Sequence, residues 1–414
     1  MNRHKMIVIT LTAIILFSGN IMAEEQLGKI NIHGFVSQGY LKTNKNNYLA
    51  QTEEGSLEFN ELGINFTTNL TDRLRMGMQL FARDMGANGN DELVVDWANA
   101  DYHWRDWLGV RIGRNKGFIG FYTETRDLDM LRTNILLPQS VYSELFRDSF
   151  SSSKSIDFYG RILLGAAGLL AYEAGVGTPN FSENTGISHA FTQAFSALDL
   201  KIDTIEPGIS PAIRATWYAP LEGFRVKAGW YEGNDLFISG KMNLLPKFEY
   251  TYDFDGYFVS TEYQQEKLTL VGEYASSEIQ GKWDLGLGYE ERRPVRYEGW
   301  YVALNYDFSE FFKTGISYSS FYPDVDNKDG KRRVPSSMYY DMLGLTGKRV
   351  NPNADFESWL KTTTLSFRFD INEFWLFKLE ASYNDGFGAY TSAKNPDGVD
   401  RYWFLYAAKA TYMF

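Results

Sequence analysis

The 414-residue sequence has no cysteine and, after its first 23 residues, no apolar run long enough to form a membrane-spanning helix. The longest later run, residues 162–171, is short and contains two glycines, whereas a spanning helix needs about 20 apolar residues. Stability must therefore come from something other than disulfides. Basic residues are also few, 41 against 52 acidic ones, and an acidic chain is a poor binder of nucleic acid.

The first 23 residues have the layout of a secretory signal peptide. Arg3 and Lys5 precede an apolar run, residues 6–17, and Ala23 offers a small residue for cleavage before Glu24. A membrane anchor is the alternative, but the run is too short for a spanning helix. We therefore expect an exported chain in which residues 1–23 are removed and residues 24–414 form the mature domain.

Aromatic residues, in contrast, are abundant. They make up 16% of the chain, although the mean hydropathy is only −0.33. This combination is unusual for a water-soluble core. It is typical of a β-barrel with an aromatic, lipid-facing exterior and a polar interior.

Apolar and polar residues alternate with a period of two along most of the chain, which predicts β-strands. In residues 73–83, Leu74, Met76 and Leu80 lie on one face, and Arg75 and Arg83 lie on the other. Sixteen such segments can be counted, an even number, as single-chain bacterial barrels require. The segments are residues 29–42, 56–68, 72–85, 93–105, 107–115, 155–163, 168–177, 210–219, 223–233, 254–264, 267–277, 296–306, 310–320, 357–369, 373–384 and 401–414.

The links between these segments alternate in length. Short links such as 69–71 and 264–266 alternate with long ones, which include 116–154, 178–209, 234–253, 278–295, 321–356 and 385–400. Outer-membrane barrels have short periplasmic turns and long extracellular loops, whereas a soluble sandwich or propeller has no reason to sort its loops. Lipid also excludes open sheet edges. We predict an all-β fold, a 16-stranded antiparallel transmembrane β-barrel that encloses an aqueous lumen.

The final strand has a pattern of its own. Tyr406, Ala408, Ala410, Tyr412 and Phe414 share one face. The terminal Phe414, with Tyr412 two positions before it, resembles the C-terminal signal of outer-membrane barrels, which implies the barrel-assembly machinery as a partner. The alternative is an ordinary amphipathic strand.

The layout of the whole mature chain resembles that of Gram-negative trimeric porins. The fifth segment leads into residues 115–122, which resemble the start of the constriction loop in phosphate-selective and related porins, with Ile119 where proline often precedes the glycine. The resemblance implies that the third extracellular loop, residues 116–154, folds into the lumen and narrows it. It also implies a homotrimer in outer-membrane lipid.

The alternation assigns more basic than acidic side chains to the lumen. The bases are Arg75, Arg83, Arg111, Arg161, Arg214, Arg225, Lys227, Lys313, Arg368, Lys378 and Lys409, and the acids are Glu61, Asp101, Asp157, Glu173, Glu262, Glu273 and Glu380. Basic side chains that line a pore favour anions. A one-residue shift in register would reverse the assignment of any strand.

A narrower set of charges forms the candidate constriction, because porins often set a wall of arginines against carboxylates of the loop. The pore-lining candidates are Arg75, Arg83, Arg111, Arg114 and Arg161 on the wall, and Asp127, Asp129, Arg132 and Glu144 in the loop. Arg114 must turn inward at its strand end, against its parity. The set would create a transverse field that orients dipolar solutes. In the alternative interpretation, these charges neutralise each other and only hold the loop in place.

Other kinds of site have weak support. His33, His103 and His189 are far apart, and residues 324–330 have the wrong register for a calcium loop. We therefore expect no metal and no cofactor. Barrel lipases and proteases also use histidine, but His103 is predicted to face the lumen and His33 the periplasmic end, so we assign no catalytic residue.

These observations predict a porin that allows passive diffusion of small hydrophilic solutes or ions, with a mild preference for anions. A substrate-specific channel for sugars, carboxylates or phosphate is the alternative. A barrel enzyme fits less well because of the predicted positions of His103 and His33, and a plugged surface receptor fits less well because the first strand segment begins almost at the mature N-terminus.

Removal of a basic charge at Arg75 or Arg111 tests the assignment to the lumen. Either substitution is expected to shift ion selectivity toward cations, because the pore would lose positive potential. The reversal potential under a salt gradient measures this shift. Unchanged reversal potentials in both variants would count against the assignment.

Overall fold

The computed structural model describes residues 29–86, 89–181, 186–195, 198–243, 245–286, 288–291, 294–331, 355–388, 395 and 398–414. The predicted signal peptide, residues 1–23, lies outside this part of the chain. No helix within the described ranges is both long and apolar enough to cross a membrane.

The described residues form eighteen strand segments in one sheet. The strands are β1 (Asn31–Thr43), β2 (Asn60–Asn69), β3 (Leu74–Asp84), β4 (Val94–Arg105), β5 (Leu108–Lys116), β6 (Ser152–Leu163), β7 (Leu169–Pro179), β8 (Lys201–Glu206), β9 (Ser210–Tyr218), β10 (Phe224–Lys241), β11 (Phe248–Gln265), β12 (Leu268–Asp284), β13 (Tyr289–Glu291), β14 (Val295–Asp307), β15 (Phe312–Tyr322), β16 (Leu360–Asp370), β17 (Trp375–Gly386) and β18 (Tyr402–Met413). Two short helices, α1 (Arg147–Phe150) and α2 (Gly186–Ala194), lie in the links.

The sheet closes into an antiparallel barrel of sixteen strands. Segments β8 and β9 both pair with β10, and β13 and β14 both pair with β12, so each of these pairs occupies one strand position. Strands β1 and β18 close the ring, and Gly34 and Phe414 exchange two backbone hydrogen bonds of 3.0 Å at this seam. The predicted fold class and strand number are confirmed.

The two faces of each strand differ in the way that the alternation predicts. On β11, Tyr257 and Val259 are exposed on the outer face, whereas Ser260 and Glu262 are buried on the inner face. Outward apolar side chains suit lipid, and the closed ladder leaves no unpaired backbone groups within it. In this part of β11, the wall is therefore apolar outside and polar inside.

Strands β10, β11 and β12 are much longer than predicted, with 18, 18 and 17 residues. The predicted long links 234–253 and 278–295 are wrong, because most of their residues belong to these strands. In the added lengths of these strands, which we call the upper part of the wall, the polar side chains face outward and the apolar ones inward. Asp253 is exposed outside, whereas Tyr250 and Trp283 are buried inside. A pattern that assumed a polar interior could not identify this extension as strand.

The upper part of this wall has a hydrophobic core of its own. Helix α2 contributes Phe191, and the turn after it Phe195, and both rings pack on Trp283 at 6.0 and 5.9 Å between centroids. Tyr250 stacks on the same indole at 4.1 Å. We call this group the upper core; its buried members are Phe181, Ile187, Phe191, Phe195, Leu200, Leu236, Ile238, Met242, Phe248, Tyr250, Tyr252, Phe254 and Trp283.

Replacement of Trp283 by alanine tests whether the upper core stabilises this wall. The indole is only 3% exposed, and truncation of such a side chain costs about 3–5 kcal/mol. We expect faster protease cleavage within residues 186–206, while the barrel keeps its resistance to SDS at room temperature. Thr251→Ala, on the outer face of the same wall, serves as the control. Equal cleavage of wild type and Trp283→Ala would contradict this account.

Candidate functional site

The link between β5 and β6, residues 117–151, crosses the inside of the barrel, and we call it the inner loop. Its two ends meet at the wall, where the Gly117 amide donates to the Ser151 carbonyl at 2.8 Å. Between these ends, buried side chains of the loop contact the walls on both sides of the lumen. The predicted constriction loop, residues 116–154, covers this segment and the adjoining ends of the two strands.

Asp129 is the best-connected acid of the inner loop. Its carboxylate is 2.7 Å from the Lys409 ammonium and 3.0 Å from Arg132, and it accepts a hydrogen bond of 2.8 Å from the Thr411 hydroxyl. Lys378 donates to its backbone carbonyl at 2.8 Å. Asp129 is 1% exposed, so this cluster fixes the middle of the loop to β17 and β18.

Glu144 and Asp148 attach the second half of the loop to β3. Arg83 contacts Glu144 and Asp148, each at 2.9 Å, and Arg126 contacts Glu144 at 2.7 Å. The resulting group of opposite charges is largely buried. An Arg fork that bridges two carboxylates defines both position and orientation, so this part of the loop is held in one place.

Asp127 attaches the first half of the loop to the same side of the barrel. It pairs with Lys116 at 2.6 Å and with Arg147, and Lys116 also pairs with Asp96 on β4. Gln79 donates to Asp96 at 3.1 Å. Both carboxylates are therefore neutralised by neighbouring cations.

The opposite wall binds the inner loop through Glu273 of β12. This carboxylate accepts from the Phe121 amide at 2.9 Å and from the Tyr142 hydroxyl at 2.7 Å, and also from Tyr301. Lys227 of β10 donates to the Gly120 carbonyl at 2.7 Å. The loop is thus attached to both sides of the lumen.

The loop carboxylates remain ionised despite their burial. Burial alone would raise the pKa of Asp129, but Lys409, Lys378 and Arg132 outweigh it and hold the pKa well below its ordinary value. Burial would likewise raise the pKa of Glu144, and Arg126 and Arg83 lower it overall. The contacts that fix the loop are therefore true ion pairs.

A cavity of about 1410 Å³ lies beside the inner loop, toward the short-turn end of the barrel. Among the described residues that line it, eight are Lys or Arg and five are Asp or Glu. The bases are Arg111, Arg132, Arg161, Arg214, Arg225, Lys227, Lys313 and Arg368, and the acids are Asp106, Glu124, Glu173, Glu262 and Asp307. Bases therefore outnumber acids on the walls, although Arg132, Lys313 and Arg368 also pair with Asp129 or Asp370, which do not line the cavity.

Most acids of the cavity are paired with its bases. Glu173 contacts Arg111 at 3.2 Å and also pairs with Arg214, which in turn pairs with Glu124. Glu262 contacts Arg225 at 2.8 Å. The positive excess is thus left to bases such as Arg161, which is exposed to the cavity and forms no ion pair with any described residue.

The predicted pore-lining residues separate into two groups. Arg111, Arg132 and Arg161 line the cavity. Arg83, Asp127, Asp129 and Glu144 lie in the buried ion pairs described above. Their direct pairing matches the alternative interpretation, in which opposite charges hold the loop.

Arg75 and Arg114 belong to neither group. Arg75 is exposed on β3, on the same face as its cross-strand partner Asp101. Arg114 does not turn toward the cavity as predicted: it donates to the Val95 carbonyl and, at 3.1 Å, to the Asn180 side chain. This contact holds the end of β5 against β4 and the link after β7.

Backbone irregularities explain which residues the alternation missed. Parity places Asp96 on the outer face, but a bulge opposite Gln79 and Leu80 shifts the register of β4, and Asp96 is buried inside. Gly113, with φ +135°, is a similar irregularity on β5 shortly before Lys116. Gly113 was the signal in the sequence for an irregularity on β5, because a backbone with positive φ favours glycine.

The remaining candidates lie at the seam or at the surface. Tyr412 pairs with Val36 across the seam, and Phe414 closes it. His103 lines the cavity near its mouth, 3.4 Å from Asp106. In residues 324–330, the segment compared with a calcium loop, the Asp324 side chain accepts from the Asp326 amide as in an ordinary turn. No cluster of three or more potential His, Cys, Asp or Glu ligands occurs in the described ranges.

Replacement of Asp129 by asparagine tests how the loop is held. The change leaves Lys378 buried without an acidic partner and Lys409 paired with Glu61 alone, and breaking a buried pair costs about 3–5 kcal/mol. We expect cleavage of the inner loop by protease added to the folded barrel, and intact wild type under the same conditions. Asp106→Asn, which alters an exposed carboxylate, is the control. A protected loop in Asp129→Asn would show that other contacts are sufficient.

Comparisons with known proteins agree with this architecture. The outer membrane channel DcaP of Acinetobacter baumannii is 12% identical and covers 95% of this chain and 99% of its own, with a TM-score of 0.57. The anion-selective porin from Comamonas acidovorans is 12% identical over 94% of this chain and 100% of its own, with a TM-score of 0.55. OmpF of Salmonella typhi, solved with daunomycin, is 13% identical over 95% and 99%, with a TM-score of 0.55. At sequence identities this low, the similarity is evidence for a shared fold and not for a shared function.

No curated protein matches the sequence. The model of the Gram-negative porin family, in contrast, matches residues 10–414. That match covers nearly the whole chain and agrees with the closed barrel. The chain therefore belongs to the Gram-negative porin family, as the sequence predicted, and is an outer-membrane channel protein.

Proposed function

We propose that this porin is a passive diffusion channel for small hydrophilic solutes, with a mild preference for anions. The observation that carries the proposal is the charge of the cavity beside the inner loop, where eight bases face five acids among the described residues. Basic side chains that line a pore stabilise permeating anions. The chain as a whole is acidic, so the positive charge is concentrated where solutes pass.

The inner loop would act as a fixed constriction. Its ion pairs on one side and its contacts with Glu273 and Lys227 on the other hold it across the lumen. A loop held in this way narrows the pore without moving. The cavity bases, rather than the buried Arg83 and Glu144 pair, would then supply the field felt by a solute.

Other features support this proposal. The similar barrel from Comamonas acidovorans is described as an anion-selective porin. Family membership supports a homotrimer in outer-membrane lipid, assembled by the barrel-assembly machinery. It also favours a channel over an enzyme. A substrate-specific channel for sugars, carboxylates or phosphate is the second candidate, since cavity arginines backed by aromatic rings, such as Arg225 over Phe121 at 4.6 Å, suit anionic groups.

Single-channel recording of the Arg161→Gln variant tests the proposal. A unit charge about 10 Å from a permeating ion in water changes its energy by about 0.4 kcal/mol, a factor of about two. Anion and cation shift in opposite directions, so we expect wild type to be anion-selective and the anion-to-cation permeability ratio of Arg161→Gln to fall by up to about fourfold. The reversal potential in planar bilayers under a salt gradient measures both.

Lys241→Gln is the matched control, because it removes one positive charge from the exposed end of β10, away from the cavity. Its selectivity should equal that of wild type. Cation selectivity of the wild-type protein would refute the anion preference. Conductance that saturates at low concentrations of one solute would favour the substrate-specific channel.

A further inference from the structure

A second, much smaller cavity of about 50 Å³ lies between the base of the inner loop and the barrel wall. Gly117, Phe118 and Ser149 of the loop form one side of it, and Ser155, Asp157 and Gly175 of the wall form the other. It is separate from the cavity that carries the proposed channel function. Its volume exceeds the roughly 10–15 Å³ needed for one water molecule.

Three buried side chains have an oxygen without a hydrogen-bond partner among the described residues; two of them line this cavity, and the third, Asn115, contacts its lining residue Ser155. They are Oδ1 of Asp157, Oδ1 of Asn115 and Oγ of Ser149, and all three side chains belong to residues that are 0% exposed. Ser155 connects two of them, since its hydroxyl donates to Asp157 Oδ2 at 3.2 Å and accepts from Asn115 Nδ2 at 3.0 Å. Unsatisfied buried oxygens are rare in native proteins, and three together indicate a missing partner.

The Asp157 carboxylate also lacks a counter-charge. Arg111 is its direct cross-strand partner, but the guanidinium contacts Asp101 at 3.5 Å and Glu173 at 3.2 Å instead. No Lys or Arg of the described chain forms an ion pair with Asp157. A buried carboxylate without a partner is costly in free energy, so a positive partner would be strongly favoured here.

The wall strand leaves room for this carboxylate. A Cβ atom at position 175 would collide with Asp157 Oδ1, and one at position 177 would collide with Ser155. Gly175 and Gly177 of β7 therefore keep the space around these oxygens open. The wall glycines, the polar lining and the cavity belong to one local arrangement.

We propose that this cavity binds a small hard cation, held by Asp157, Asn115 and Ser149. Carboxylate, amide and hydroxyl oxygens are the ligands that sodium-like and calcium-like ions prefer, whereas softer metals prefer nitrogen or sulfur. One carboxylate and several neutral oxygens would neutralise a monovalent ion, or bind a divalent one weakly. The cavity leaves room for a water molecule beside the ion.

The ion would connect the inner loop to the barrel wall. Asp157 and Asn115 belong to β6 and β5, whereas Ser149 lies in α1 at the end of the loop. A cation shared by these residues would fix the end of the loop that Arg83 contacts through Asp148. It would thus stabilise the constriction on the side of the loop that faces the barrel wall, outside the path of the solute.

Thermal unfolding of the detergent-purified, lipid-free protein tests the site. The midpoint is measured in sodium chloride, in N-methylglucamine chloride, and in the latter with calcium chloride, at one ionic strength. We expect a higher midpoint with sodium or with calcium than with N-methylglucamine alone, which also identifies the bound ion. In Asp157→Asn this dependence should disappear, and in Ser149→Ala a higher cation concentration should be needed for half of the effect.

Asp255→Asn, which alters an exposed carboxylate on the outer face, should respond to the cations as wild type does. Crystals soaked in thallium(I) or in a lanthanide should show anomalous density between Asp157 and Ser149, even if Asp157→Asn fails to fold. The proposal is overturned if the wild-type midpoint does not depend on the cation, or if Asp157→Asn retains the dependence. Either result would mean that only water fills the cavity.

Discussion

The structure depends on one constraint: backbone N–H and C=O groups within lipid have no water to bind, so every strand must be paired on both edges. The chain meets this constraint by joining β18 to β1, with the Gly34 and Phe414 hydrogen bonds at the seam. Closure at sixteen strands leaves a lumen too wide for wall side chains alone to fill. The polar inner faces and the inner loop are the consequence.

Filling that lumen with a loop creates an electrostatic problem, which the protein solves by pairing charges. Asp127, Asp129 and Glu144 would be costly to bury alone, and each contacts at least one Lys or Arg. A buried pair is weak evidence of added stability, but it defines geometry, since removal of either partner leaves a charge without compensation. The ion pairs therefore determine where the loop lies more than how stable the barrel is.

Because these pairs neutralise one another, the potential along the proposed solute path would come from elsewhere. The bases of the cavity, among them Arg161 and Lys227, exceed the acids that face them. In the proposed channel, the Arg161 charge is exposed to solvent, so that salt would screen it and selectivity would stay mild. The ion proposed for the small cavity at Asp157 would likewise have a separate role, since it would support the loop from outside the proposed solute path.

The sequence by itself determined the barrel, its strand number and the direction of most side chains, because a period of two is a local property of strands. It also placed Lys378, Lys409 and Glu273 correctly on the inner face. It did not determine the length of β10 to β12, whose added residues have an apolar inner face that packs on α2. Nor could it place Asp96, because a bulge opposite Gln79 and Leu80 reverses the parity there, or identify the contacts of Arg114 with Val95 and Asn180. Only the tertiary structure decided which charges meet, since Asp129 and Lys409 are 280 positions apart in the chain and their pairing depends on how the loop crosses the closed ring.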